Sequence, residues 1–376
     1  SGAEVPAERA FIMTAIVLFG VLVDRTALSV RLLAWAALGI LLLEPESLLG
    51  ASFQLSFAAM LALIAAYETL TPALKERIAG LPGPSKLLLT LAGMVISSLV
   101  AGLATGAIGL FHFNRIALYG MAANAVAIPV TSFWIMPWVI ATFLLMPFGL
   151  DSWGLWAMQP GLDLVIGVAR AVAAWPGASF LLPALESWPL PLVGLGLIWL
   201  CVWRRGWRLL GVPVMAAGLA LGFAAPRPDM LVAADGALIA VRGSDGALWF
   251  STARGQAFER MVWLERDGAI KGGSFPGVGE GAKGPLACDA SGCIYRWATK
   301  LVAIAYTRAA IEEDCRRADV LITLEILFDR CPRPQLVIDR RDLLRGGSHA
   351  LWIGEGETRL RAAVRGHRAW TRASTP

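Results

Sequence analysis

Hydrophobic positions along this chain gather into long charge-free runs with short charged punctuation between them. The runs cover residues 10–23, 26–43, 47–67, 87–114, 116–150, 187–203 and 209–226. Arg31 is the one charge inside the second run, placed where it can snorkel from a helix end. A bilayer core is spanned by about 20 apolar residues in a helix, so several of these runs predict membrane-spanning helices. Residues 116–150 are too long for one straight span. Pro129 and Pro137 interrupt them and Asn124 sits among their apolar residues. A proline-kinked helix and a re-entrant, discontinuous segment both fit, because broken backbone survives at membrane depth where protein or a wet cavity surrounds it.

Residues 161–175 differ. Asp163 and Arg170 recur among Leu, Ile, Val and Ala at helical spacing, which predicts an amphipathic helix lying in the interface plane. Trp134, Trp138, Trp153 and Trp156 read as aromatic-belt anchors around it. Gly102 and Gly106 form a GxxxG pattern, expected to pack helices within the chain more than between chains.

Beyond residue 226 the period changes. Residues 237–250 alternate around Asp245-Gly246, a hairpin signal. Residues 312–323 read as a helix end leading into a strand, and 336–339 and 349–353 as two later strands. The chain is thus expected to hold a multi-pass α-helical membrane domain over residues 1–226 and a small α/β soluble domain over residues 227–376.

Charge sharpens the division. Residues 1–225 carry 11 basic and 10 acidic side chains, and residues 226–376 carry 22 and 18. Neither half has the basic block that announces duplex binding. Orientation follows from Lys and Arg in short loops. Arg204, Arg205 and Arg208 form the clearest cluster, with Lys75, Arg77 and Lys86 in an earlier loop, so both loops are expected in the cytoplasm. The last span then leads outward and the soluble domain is expected outside the cytoplasm. The chain opens with Ser-Gly and a hydrophobic run without a charged leader or cleavage site, so it reads as the C-terminal portion of a longer protein.

Two stretches carry more than composition. Residues 52–64, Ser-Phe-Gln-Leu-Ser-Phe-Ala-Ala-Met-Leu-Ala-Leu-Ile, put Gln54, Ser52 and Ser56 inside a span. Residues 111–129 begin Phe-His-Phe-Asn-Arg-Ile-Ala-Leu-Tyr-Gly and lead into the proline-interrupted run. Both resemble signature stretches of the competence domain of ComEC-type DNA-uptake proteins, and residues 5–13 resemble a third. The likeness spans about residues 1–225. It implies passage of single-stranded DNA across the cytoplasmic membrane during natural transformation. The lipid bilayer and other DNA-uptake proteins, a receptor and a cytoplasmic motor, are the further partners implied, with a homo-oligomer left open. It also implies that the soluble domain is a degenerate relative of metallo-β-lactamases.

A DNA strand carries one phosphate charge per nucleotide and needs a wet, polar path through hydrocarbon. Gln54, Ser52, Ser56, His112, Asn114, Arg115, Tyr119 and Asn124 are the candidates to line it, with Arg115 meeting phosphates and Tyr119 stacking a base. A small-solute transporter is the rival reading, and a membrane-tethered hydrolase the third. The hydrolase needs clustered His and Asp ligands. After residue 226 only His349 and His367 occur, and Asp235 stands alone, so no metal, no cofactor and no catalytic residue is expected. Cys201 reads as a small apolar residue in a span. Cys288, Cys293, Cys315 and Cys331 read as disulfides, Cys288 with Cys293 and Cys315 with Cys331, each closing a short loop.

Overall fold

The computed structural model describes residues 29–78, 83–252, 255–278, 282–297, 299–328, 331–354 and 358–363. The run at residues 10–23 lies outside the described residues. The chain divides into two compact units, Ser1–Ala224 and Ala225–Pro376.

In the first unit, Ser29 caps helix α1 (Val30–Leu43) by accepting from the Leu32 N–H at 3.3 Å. A 3-10 turn at Pro45–Leu49 leads to α2 (Ala51–Ile78), which packs antiparallel along α3 (Gly83–Phe113). Strand β1 (Arg115–Ala117) then leads into α4 (Gly120–Val130), a π turn (Thr131–Ile135), α5 (Met136–Leu145) and α6 (Asp151–Ala173). Strand β2 (Ser179–Leu181) returns antiparallel to β1. Helices α7 (Leu190–Val202) and α8 (Gly211–Phe223) complete the unit, joined by a 3-10 turn at Gly206–Leu210. Among the described residues four stretches are long and apolar enough to cross a membrane: Ala51–Leu70, Ala92–Phe113, Gly120–Phe148 and Gly206–Phe223. Val30–Leu43 and Leu190–Val202 are apolar but shorter.

Of the two readings open for residues 116–150, the described residues follow the proline-containing helix from Gly120 to Phe148. Pro129 has no N–H to give one turn back, and the helix absorbs the loss by widening into the π turn at Thr131–Ile135. The break comes earlier, at β1. The amphipathic helix expected at 161–175 is the second half of α6, which starts at Asp151 and runs through Pro160 packed against α5. Gly154 and Gly161 make that packing possible, since a Cβ on Gly161 would sit 3.1 Å from Ile135. So α6 is one arm of a helical hairpin with α5, and the expected helix forms its second half. Finally, a methyl group on Gly102 or Gly106 would meet no neighbour within 4 Å, and the close helix contact is made elsewhere. A methyl on Gly196 would lie 2.7 Å from the Gly211 carbonyl, and one on Gly218 2.9 Å from Val193, so small residues join α7 to α8.

The second unit is a sandwich. One sheet has six strands in the order β13-β12-β3-β4-β5-β6: β3 (Met230–Val232), β4 (Ile239–Arg242), β5 (Leu248–Phe250), β6 (Gly273–Ser274), β12 (His349–Trp352) and β13 (Arg359–Ala362). The other has five in the order β11-β10-β9-β8-β7: β7 (Leu286–Cys288), β8 (Gly292–Trp297), β9 (Lys300–Ala305), β10 (Val320–Thr323) and β11 (Leu336–Ile338). The expected hairpin is β4 and β5, the helix-to-strand step is α10 (Arg308–Arg317) into β10, and the two later strands are β11 and β12. Met230, Val232, Ile239 and Val241 from one sheet meet Tyr295, Val302, Ile304, Val320 and Ile322 from the other. The outer faces are covered too. Trp263 and Leu264 of α9 (Ala257–Asp267) pack on Leu238, Ala240, Leu248 and Phe250, and Ile311 and Cys315 of α10 pack on Ala303, Ala305 and Leu321. Residues 237–250 read as alternating, but the helix-covered sheet buries both faces of β4, and β10 is buried on both faces in the same way. A short helix α11 (Arg340–Gly346) starts at Asp339, whose carboxylate accepts from the Arg341 and Asp342 N–H groups in a capping box.

One charge pair sits inside this core. Arg242 at the end of β4 donates to Asp267 at 2.8 Å, to the Pro228 carbonyl at 2.9 Å and to the Gly246 carbonyl at 2.8 Å. Both side chains of the pair are buried. The Arg242 carbonyl in turn accepts from the Tyr295 hydroxyl at 3.0 Å, linking the two sheets, and burial pushes the Tyr295 phenol well above its usual range. Removing one partner of such a pair leaves a buried, uncompensated charge. Arg242→Ala is therefore expected to destabilise the soluble unit by about 3–5 kcal/mol. Urea-dependent protease susceptibility of the full chain in micelles measures this, and an unchanged midpoint refutes it.

Candidate functional site

The polar residues of the membrane unit fall into three places. The first is at the start of α2 and the end of α3. Gln54 donates its side-chain N–H to the Leu48 carbonyl at 2.9 Å, which holds the amide. Its Oε1 lies 2.8 Å from Nε2 of His112, so His112 is the donor through Nε2. Residue 112 lies 58 positions from residue 54 and reaches it because the two helices run antiparallel.

The second place is the strand pair. Helix α3 ends at Phe113, and Asn114 turns the chain with φ of 53°. Asparagine tolerates this left-handed conformation better than most residues. Its carbonyl accepts from the Leu182 N–H at 2.9 Å, and β1 pairs with β2 in the register Arg115 with Leu181 and Ala117 with Ser179. Tyr119 closes the other end, its ring edge-on to Trp175 with centroids 5.3 Å apart and its hydroxyl 3.4 Å from the Pro176 carbonyl. The Asn114 side chain is buried, and its Oδ1 has no hydrogen-bond partner among the described residues.

The third place is separate. Asn124 donates to the Ser98 hydroxyl at 3.1 Å, joining α4 to α3. Ser98 lies fourteen residues before His112, or about 21 Å along the helix. Ser56 joins none of these places. It is exposed and sits two positions, or about 200°, round α2 from Gln54. The structure thus groups Gln54 with His112, runs on to Asn114, Arg115 and Tyr119, and sets Asn124 and Ser56 apart.

Sequence reasoning did not single out Ser98, Trp175, Pro176 or residues 179–181. Ser97 and Ser98 were legible as a polar pair amid the apolar run 87–114. Residues 179–181 carry no such mark. Glu68 was also missed. Its carboxylate accepts from Arg204 at 2.8 Å, so the turn after α7 lies at the end of α2 opposite Gln54. Near the end of α8, Gly222 lies beside Phe111 and Leu185, and its carbonyl accepts from the Glu186 N–H at 3.4 Å. The exit of α8 is therefore at the Gln54–His112 end, and the arginine-rich turn is at the other.

The family described as Competence protein matches residues 1–207. The chain belongs to the competence protein family. The match holds all three polar places and ends at Trp207, so α8 and the soluble unit lie beyond it. Searches among curated proteins and among solved structures find no match.

In the soluble unit the structure joins Cys288 to Cys293, with Cα atoms 4.1 Å apart, and Cys315 to Cys331, with Cα atoms 4.9 Å apart. Both fall within the reach of a disulfide. The first pair faces across the β7–β8 hairpin, and the second ties α10 to the segment after β10. Cys201 carries no disulfide. Among the described residues no group of three or more His, Cys, Asp or Glu side chains is placed to hold a metal ion. The His349 Nδ1 faces the Gly347 carbonyl at 2.7 Å inside the core. Alkylation of the denatured chain is expected to add one label before reduction and five after it. Five labels without reduction would refute both bridges.

Proposed function

We propose that the membrane unit conducts single-stranded DNA across the cytoplasmic membrane during competence. The family assignment supports a role in DNA uptake. The observation that carries the finer reading is the polar pair Gln54–His112 running into a non-helical strand pair at one end of the apolar helix bundle, between two candidate spans. Backbone that leaves helix there and pairs strand to strand fits a surrounding of protein or water rather than lipid. Arg115 and Tyr119 follow the pair and supply a cation and an aromatic face, the two groups that hold a single strand without regard to sequence. A small-solute transporter finds no comparable support.

The soluble unit is read as the degenerate metallo-β-lactamase-like end of such a protein, acting without metal catalysis. Its helix-covered two-sheet sandwich supports that reading. It is read as extracytoplasmic, because Arg204, Arg205 and Arg208 mark one end of the bundle and α8 leaves at the other.

A strain lacking this gene should still bind DNA at its surface but yield no transformants, and parental transformation would exclude the reading. Replacing both Gln54 and His112 by Leu removes the polar pair with little effect on folding, since loss of both partners is close to neutral. That double variant, at unchanged protein level, should transform about tenfold less well, and Ser56→Ala should transform normally. An alkaline phosphatase fused after Pro226 should be active, and an inactive fusion would reverse the orientation.

A further inference from the structure

The turn between α7 and α8 presents two arginines that no other described residue of the unit engages through its side chain. Arg204 is engaged by Glu68 at 2.8 Å. Arg205 and Arg208 make no side-chain hydrogen bond or ion pair among the described residues. The Arg208 N–H donates to the Arg205 carbonyl at 2.9 Å, a 3-10 turn. Arg205 is the extended residue that opens the turn and Arg208 lies within it, so one short turn carries two positive charges with no anion partner among the described residues.

The turn beneath them is packed by aromatic rings. Trp199, Trp203 and Trp207 pack into one cluster, with ring centroids 5.5 Å apart for the first pair, 4.3 Å for the second and 5.1 Å between Trp199 and Trp207. The Trp199 indole N–H donates to the Trp207 carbonyl at 3.2 Å, tying helix to turn. Indoles with exposed edges suit the headgroup level of a bilayer, and Trp203 and Trp207 are both exposed. Apolar side chains continue from the cluster along both helices, with Leu195, Ile198, Leu209 and Val212 exposed.

The geometry points to a binding site for the phosphate of an anionic glycerophospholipid, held between Arg205 and Arg208 with its acyl chains on α7 and α8. Charge complementarity selects the occupant. The paired guanidiniums need an anion, and the apolar surface that continues from them needs hydrocarbon. A free phosphate satisfies only the first requirement. A zwitterionic lipid brings its own cation to two cations. The site is independent of the translocation reading, since it lies at the opposite end of the bundle from Gln54 and His112.

The test uses the full chain purified in neutral detergent, and native mass spectrometry reads how many lipids stay bound. Phosphatidylglycerol should be retained in preference to phosphatidylcholine. Arg205→Gln with Arg208→Gln should lower phosphatidylglycerol retention about thirtyfold, the weight of two arginines at an anionic lipid surface. Arg31→Gln, a cation elsewhere in the unit, should leave it unchanged. Inorganic phosphate at millimolar concentration should not displace the lipid. Should the double variant fail to fold, each single substitution should still weaken retention, and Arg205→Lys with Arg208→Lys should keep most of it. Equal retention of both lipids, equal retention by the double variant, or displacement by phosphate or by a short single-stranded oligonucleotide would overturn the proposal.

Discussion

In hydrocarbon, a backbone N–H or C=O without a partner costs several kcal/mol. The membrane unit is organised by that constraint. Each long run meets it in the simplest way, by forming a helix. The chain leaves helix at Asn114, and there the carbonyl of Asn114 and the backbone of Arg115–Ala117 find partners in Leu182 and Ser179–Leu181. Those partners lie more than sixty residues away in sequence. The helical hairpin α4–α6 therefore has to return to its starting point, because only its return strand satisfies the strand that launched it. The π turn after Pro129 is the same constraint met at smaller scale.

The second unit, a two-sheet sandwich, solves a different problem. Its two sheets bury both faces, so polar groups inside must be satisfied by design of position. Arg242 does this for several groups at once. Its guanidinium serves two carbonyls and the Asp267 carboxylate, while its own carbonyl receives the Tyr295 hydroxyl from the facing sheet. The Asp229 carboxyl, which accepts from the Ile353 N–H, is pushed above its usual range by burial and pulled back by that hydrogen bond and by Arg242. The charge network and the apolar core hold the same elements together.

Much of this was legible in the sequence, for physical reasons that can be named. Charge-free runs mark helices because hydrocarbon admits little else. The turn at Asp245-Gly246 marks a hairpin because its backbone demands it, and Gly246 has φ of 77°. Pro129 left two readings open because local chemistry says a bond is lost without saying how a helix of 29 residues absorbs it. The pairing of Gln54 with His112 required knowing which helices are neighbours, and nothing local in either stretch encodes that. Gly102 and Gly106 carried the small-residue pattern, yet Gly196, Gly211 and Gly218 do the packing. The pattern records permission for close approach, and the partner helix decides where it is used.

The two disulfides are local in the chain, separated by 5 and 16 residues. Neither encloses the other, and neither crosses. Loop closure costs least for short loops, so of the three ways to pair four thiols this one is also the one chance encounters favour. Each bridge can be made from a contiguous stretch as it emerges, before the strands on either side have met. The oxidation pattern is thus written into the order of the chain, and correct pairing asks for no reshuffling once the sandwich has closed.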